Sequence, residues 1–174
     1  MRRKLVFACT TLLLTQLFIA CNSTDDGIEC PEDHTGALAE AEEKLPGDWV
    51  LTAMTADQEI DLTDDETDNP STDLFTQYEA CQKDAYYSFG SNRTYVYRQG
   101  NRATDCENKV ALGGTWQLTG DVLSLVGSCN VSNIPLTFKE DATAFTFTNA
   151  FSIADAQGKN IQTNVTFTYT LTEL

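Results

Sequence analysis

Histidine is almost missing from this chain: His34 is the only one among 174 residues. It lies in a polar, acidic stretch before any periodic pattern begins. A Ser-His-Asp or Cys-His constellation would therefore need a residue from outside the body of the fold. Basic residues are also scarce, 11 against 26 acidic ones, for a net charge of −15. That balance repels nucleic acid and anionic lipid surfaces, and no basic patch offers a nucleic-acid footprint. No two of the later cysteines stand in C-x-x-C spacing, so zinc lacks its usual paired ligands. After residue 20 no apolar run approaches the roughly 20 residues of a spanning helix. Carboxylates are plentiful, but none falls on the apolar face of an expected strand, where a glycosidase pair would have to project. These absences point away from an enzyme, a cofactor and a metal site.

What is present begins with an address. Arg2, Arg3 and Lys4 precede a mostly apolar run from Leu5 to Ile19, and Ala20 is small. That is the order of a secretory signal peptide, expected over residues 1–20. Cys21 then ends the stretch "LFIAC", which resembles the lipobox of bacterial lipoproteins, with Phe18 in place of the usual Leu. The resemblance implies cleavage before Cys21 and acylation of its thiol and new N-terminus, by palmitate or similar chains. Each buried CH₂ adds ~0.8 kcal/mol, so several chains hold a protein far more firmly than one. The next residues, "NSTDDGIE", resemble the acidic tag that sends Bacteroidota-type lipoproteins to the outer face of the outer membrane. The implied location is a bacterial outer membrane, lipid-anchored and facing the cell surface, with a periplasm-facing anchor as the alternative.

Removal of residues 1–20 takes away three bases and no acid, leaving 8 against 26, a net of −18. Most acids fall between Asp25 and Asp73, where Lys44 is the only base. Residues 21–34 read as an acidic tether and residues 35–174 as one globular domain. Asp61, Asp64, Asp65, Glu66 and Asp68 could offer oxygens to calcium. However, "DLTDDETDNPST" lacks the Gly and the terminal Glu of an EF-hand loop, and a solvated loop is expected. Four cysteines remain beyond the anchor, and an even number in an exported chain favours disulfides. Cys81 and Cys106 flank the two arms of an expected hairpin, so they pair, which leaves Cys30 for Cys129.

Strand signals dominate after Pro46 and Gly47, which end a short helix expected over "TGALAEAEEKL", residues 35–45. In "NVTFTYTLTEL" the set Val165, Phe167, Tyr169 and Leu171 alternates with Thr166, Thr168, Thr170 and Thr172. Period two puts the apolar set on one face and the threonines on the other. "AFTFTNAF" repeats the pattern with Phe145, Phe147 and Phe151, and "NIPLTF" groups Ile134, Leu136 and Phe138. "GTWQLTGDVLSLVG" and "AYYSFGSNRTYVYR" read as hairpins turning at Gly120-Asp121 and near Gly90–Asn92. "GDWVLTAMTA" is the first strand, with Trp49 and Leu51 inward, and "LFTQYEAC" has room for one or two helical turns. About eight short antiparallel strands, each apolar on one face, require a sandwich or a closed barrel.

Two segments share the pattern L-x-G-x-W-x-L-T: "LPGDWVLT" at 45–52 and "LGGTWQLT" at 112–119. The first resembles the G-x-W of lipocalins. With "CQKDAYYSF", "RTYVY" and "LTGDVLSLVG" in this order, residues 45–174 look like the lipocalin-like domain of Bacteroidota lipoproteins. The implied fold is all-β: an eight-stranded antiparallel up-and-down barrel with a short N-terminal helix. One departure stands out. Many lipocalins carry an Arg near the end of the last strand, packed over the first Trp, whereas "YTLTEL" contains no base.

The expected function is binding of a small, mostly apolar ligand inside the barrel. Trp49, Phe89, Tyr95, Trp116, Phe138, Phe145, Phe147, Phe167 and Tyr169 are the candidate cavity wall, because aromatic walls with a few hydroxyls suit such a ligand. The alternative is a surface interaction or structural module with a filled barrel, engaging a protein or glycan partner. The anchor is open to direct test. Cys21→Ser is expected to abolish incorporation of a fatty-acid probe and to leave uncleaved precursor; normal acylation of that variant would contradict the lipoprotein reading.

Overall fold

The computed structural model describes residues 29–172. The segment expected to be a leader, Cys21, residues 22–28 and residues 173–174 lie outside the described residues. Ten strands form one antiparallel sheet: β1 (Gly47–Ile60), β2 (Ser71–Asp73), β3 (Tyr86–Phe89), β4 (Thr94–Gln99), β5 (Val110–Thr119), β6 (Val122–Gly127), β7 (Asn130–Pro135), β8 (Thr137–Phe138), β9 (Ala144–Ala154) and β10 (Asn160–Thr172). Two one-turn helices, α1 (Leu74–Gln77) and α2 (Ala80–Lys83), lie between β2 and β3. The strand order is β7-β6-β5-β4-β3-β1-β10-β9-β8, with β2 hung from β1. First and last long strands pair, from Asp48↔Thr172 to Ala56↔Val165, and the sheet curls into a nearly closed barrel.

The count is ten, not eight, for two local reasons. β2 is a three-residue side strand against the long first strand. The segment "NIPLTF" is cut at Pro135-Leu136, where the chain leaves β6 and joins β9. Pro135 has no N–H to give a ladder, and Leu136 instead donates its N–H to the Asp121 carbonyl at 2.7 Å. β7 and β8 thus form the two ends of the strand order while being consecutive in the chain.

The alternation in β9 and β10 has the physical effect its period demands. Phe145 and Tyr169 are buried, and Phe147, Phe167 and Leu171 pack half-buried against the same core. The threonines stand on the other face, where Thr52 meets Thr170 and Thr148 meets Thr166 at 2.9 and 2.8 Å. Burying a Phe rather than leaving it exposed is worth roughly 1.5–3 kcal/mol, which fixes the register against a one-residue slip.

The two tryptophan motifs run in opposite directions. β1 climbs away from the closed end, so Leu45 lies below Trp49 and both are fully buried. β5 descends toward that end, so Leu112 lies above Trp116 and is 53% exposed. Each indole N–H is satisfied: Trp49 donates to the Leu45 carbonyl at 2.8 Å and Trp116 to the Gly90 carbonyl at 3.0 Å. The motif glycines are steric requirements. Gly47 has φ +142 and a Cβ there would meet Leu171; a Cβ on Gly114 would meet the Val126 carbonyl.

The closed end is locked by an ion pair. Arg93, at φ 67 in the β3–β4 turn, donates two parallel bonds to Glu42, at 2.9 and 2.7 Å. It also donates to the carbonyls of Gly36, Ala37 and Trp116. Glu42 accepts in addition from the N–H groups of Ala39 and Leu118. This network replaces the helix expected over 35–45 with a single 3-10 turn, Glu40–Glu42. A helix would direct the carbonyls of Gly36 and Ala37 along its own axis, whereas Arg93 holds them, and Gly36 is at φ 91. Arg93 also lies over the Trp116 ring at 5.7 Å.

Both disulfides are present: Cys81–Cys106 with Cα atoms 5.6 Å apart, and Cys30–Cys129 at 4.5 Å. The second holds the chain from Cys30 onward against the barrel. His34 continues the docking through Thr115 at 2.9 Å and Ser124 at 3.1 Å. The segment read as a tether over 21–34 is thus attached to the body from Cys30, as the expected pairing with Cys129 requires.

Hydrogen bonds from Arg93 outweigh the burial of Glu42 and, with the N–H groups of Ala39 and Leu118, hold its carboxyl down to about 2 from 4.5. A lowered carboxylate pKa stabilises the fold fully above the unfolded value and loses that contribution as pH falls through the folded one. Glu42→Gln leaves the Arg93 charge buried without its counter-charge and is expected to cost roughly 3–5 kcal/mol. Denaturant titrations from pH 6 down to pH 2 should show wild-type stability falling more steeply below pH 4.5 than that of the variant. Equal slopes would remove the pair from its role.

Candidate functional site

The barrel is solid at one end and open at the other. Trp49, Trp116, Phe89, Phe145, Leu118, Leu123 and Leu125 are all buried and fill the closed half. Above them the interior opens into a cavity of about 220 Å³. It is lined by Leu51, Met54, Tyr97, Gln99, Phe167 and Tyr169 from the strands, by Ala85 just before β3, and by Tyr78 and Gln82 from the cap.

The cap is α1, α2 and their flanks. Asp73 accepts from the Thr76 N–H and starts α1. Gln77 receives the Leu62 N–H at 2.7 Å and donates to the Ile60 carbonyl at 3.0 Å, which ties the helix to the end of β1. Leu74 is fully buried in a second small core with Ala56, Ile60 and Val165. α2 is fastened by Cys81–Cys106 and by Gln99, whose amide donates to the Gln82 carbonyl at 3.0 Å. Asp84 then gathers the N–H groups of Gly100, Arg102 and Ala103. Burial pushes its carboxyl up, but those N–H groups together outweigh it and hold the pKa below the ordinary value.

Two outer recesses adjoin the cavity and share Gln82 with it. One, of about 560 Å³, lies between the acidic loop, the cap and Ile153-Ala154. The other, of about 390 Å³, lies between α2 and the β4–β5 loop and includes Gln99, Glu107 and Val110. Asp64 and Asp65 line the first recess. Asp61 is not a solvated acid: it is 4% exposed and accepts from Thr63 and Asn69, shaping the loop.

Chemically, the mouth offers neutral groups. The rings of Tyr87 and Tyr97 lie 4.9 Å apart and those of Tyr87 and Tyr169 5.2 Å apart. Burial, and then the neighbouring tyrosines, push the Tyr169 and Tyr87 hydroxyls well above the usual range. Burial does the same for Tyr97, with Asp84 adding to it. These hydroxyls stay protonated at any physiological pH and can donate or accept without carrying charge. Tyr97 already donates to the side-chain amide oxygen of Gln99 at 3.3 Å.

Of the nine aromatic residues expected to line a cavity, Phe167 and Tyr169 do so. Phe147 stands behind them, stacked at 5.1 Å on Phe167 and 5.9 Å on Tyr169. Trp49, Phe89, Tyr95, Trp116 and Phe145 are instead buried core, and Phe138 packs on that core beneath Lys44. Period two tells which face a residue occupies but not its height along the barrel, and these six lie too near the closed end. Met54, Tyr78, Gln82, Ala85 and Gln99 escaped the sequence reading. Tyr78, just after α1, and Gln82, in α2, belong to a cap whose packing is set by long-range contacts, and the other three are not aromatic.

No curated protein matches this chain. The family described as Domain of unknown function (DUF5004) matches residues 23–172, and the chain belongs to it.

Proposed function

We propose that the protein is a lipid-anchored envelope lipoprotein with a lipocalin-like barrel that binds a small, mostly apolar molecule at its open end. The observation that carries this reading is the cavity framed by Met54, Tyr97, Phe167 and Tyr169 beneath the α1–α2 cap. At about 220 Å³ it is smaller than the roughly 300–1,000 Å³ of drug-sized sites, so the apolar part of the ligand is small. Its polar end would lie toward Gln82 and Gln99, where the outer recesses begin. The lining supplies apolar contact, two amides and neutral tyrosine hydroxyls, which suits binding rather than proton transfer. The lipobox-like "LFIAC" and the acids after it support anchoring at Cys21 and display on the outer membrane.

A second reading draws on the solid closed half, where Trp49, Trp116 and Phe145 leave almost no exposed surface. That packing favours a structural or interaction module if the mouth proves empty of function. A dye that brightens in apolar surroundings separates the two. The native protein is expected to bind it, and Met54→Trp, which fills the mouth from a half-buried position, is expected to abolish the signal while the fold survives. Tyr97→Phe should weaken binding of a hydrogen-bonding ligand by about 0.5–1.5 kcal/mol. No signal with the native protein, or a signal indifferent to Met54→Trp, would move the function to the interaction module.

A further inference from the structure

The Cys30–Cys129 bond fixes where the tether begins. Cys129 lies in the two-residue turn between β6 and β7, where Ser128 and Cys129 both have positive φ, 50 and 58. That turn is at the open end, opposite in height to the β5–β6 turn at Gly120-Asp121 that meets Lys44. From Cys30 the chain runs down the outer face of β5 and β6, past Thr115 and Ser124, to the Arg93 network at the closed end. Its first fixed point is therefore the mouth. Cys21 is nine residues upstream of Cys30, a reach of at most ~30 Å when fully extended. Facing the closed end to the bilayer would first use the length of β6, about 20 Å for its six residues. Most of the leash would then be spent along the barrel wall.

Charge and exposure are arranged around the same end. Five large apolar side chains stand out as exposed among the described residues: Val110, Leu112, Val122, Val131 and Phe151. All but Val122 belong to the open half. Val110 and Leu112 begin β5, and Val131 sits beside Cys129 at the start of β7. The neighbouring β4–β5 loop is balanced, with Arg102 and Lys109 against Asp105 and Glu107. The acidic loop, by contrast, follows β1, and β1 is four strand places from β6 through β5, β4 and β3. The tether thus leaves from the apolar side of the mouth, bringing Glu29, Glu32 and Asp33 with it, and keeps the acidic loop on the far side.

We infer that the open end of the barrel faces the bilayer that holds the anchor, with the β5–β7 lip carrying Val110, Leu112 and Val131 resting on a zwitterionic lipid surface. This inference rests on the lipid anchor at Cys21 proposed above. It makes the ligand of the mouth cavity a molecule that enters along the membrane surface rather than from bulk solvent. Anionic lipid weakens the contact, because the net charge is strongly negative and repulsion acts within a Debye length.

The test uses the full lipidated chain in phosphatidylcholine vesicles doped with a phosphatidylcholine that carries a photoactivatable group in its acyl chain. Peptides are mapped after illumination, and the mass of the N-terminal peptide reports acylation of Cys21 in the same sample. Labelling is expected on the peptides containing Leu112 and Val131 and not on those containing Asp121 and Phe138. Leu112→Glu combined with Val131→Glu should lose the labelling while Cys21 stays acylated and the fold stays intact, since both side chains are exposed. Labelling of the closed end, equal labelling of both ends, or none from an acylated protein would overturn the orientation. An N-terminal peptide without acyl chains would overturn the anchor reading and this inference with it.

Discussion

Arg93 carries a full charge into a place that is 4% exposed, and much of the closed end is organised around satisfying it. A lone buried guanidinium would be strongly destabilising, so its bidentate partner Glu42 and three carbonyls are obligatory. Those partners come from three regions: the N-terminal segment, the 3-10 turn and β5. The network therefore does more than contribute energy. It ties the first described residues to the barrel floor, holds the turn between β3 and β4, and lays a cation on Trp116. With that end closed and Trp49 and Trp116 packed behind it, any space inside the barrel lies at the other end.

The two disulfides act at that other end. Cys81–Cys106 fastens the cap to the β4–β5 loop, and Asp84 gathers the same loop through three backbone N–H groups. Cys30–Cys129 fixes the incoming chain beside the mouth. The structure thus divides its devices: a buried charge pair and aromatic packing where the barrel is solid, covalent bonds and side-chain clamps where it is hollow. A hollow end buries less apolar surface per residue, and cross-links compensate by restricting the unfolded chain.

Much of this was legible in the sequence, and the rest was not for definable reasons. The alternation from Val165 to Leu171 announces a strand with one apolar face, and the hairpins around Gly90 and Gly120 announce their turns. The pairing of Cys81 with Cys106 follows from hairpin flanks. By contrast, the contact between Glu42 and Arg93 joins residues 51 apart in the chain, and no local pattern points to it. The helix expected over residues 35–45 does not form, because the carbonyls of Gly36 and Ala37 answer to Arg93 instead. Height along the barrel was the main blind spot. Leu45 and Leu112 hold the same place in one motif, yet one is fully buried and the other exposed, because their strands run in opposite directions. For the same reason the aromatic set expected around a cavity turned out to be mostly floor.

The mouth cavity matters most as a place for a bound molecule. Native mass spectrometry of the protein purified from its own cells, without detergent exchange, tests this most directly. The expected result is a population heavier than the protein alone by one small, mostly apolar molecule that leaves on gentle collisional activation. Only the mass of the protein alone, across independent preparations, would contradict the claim.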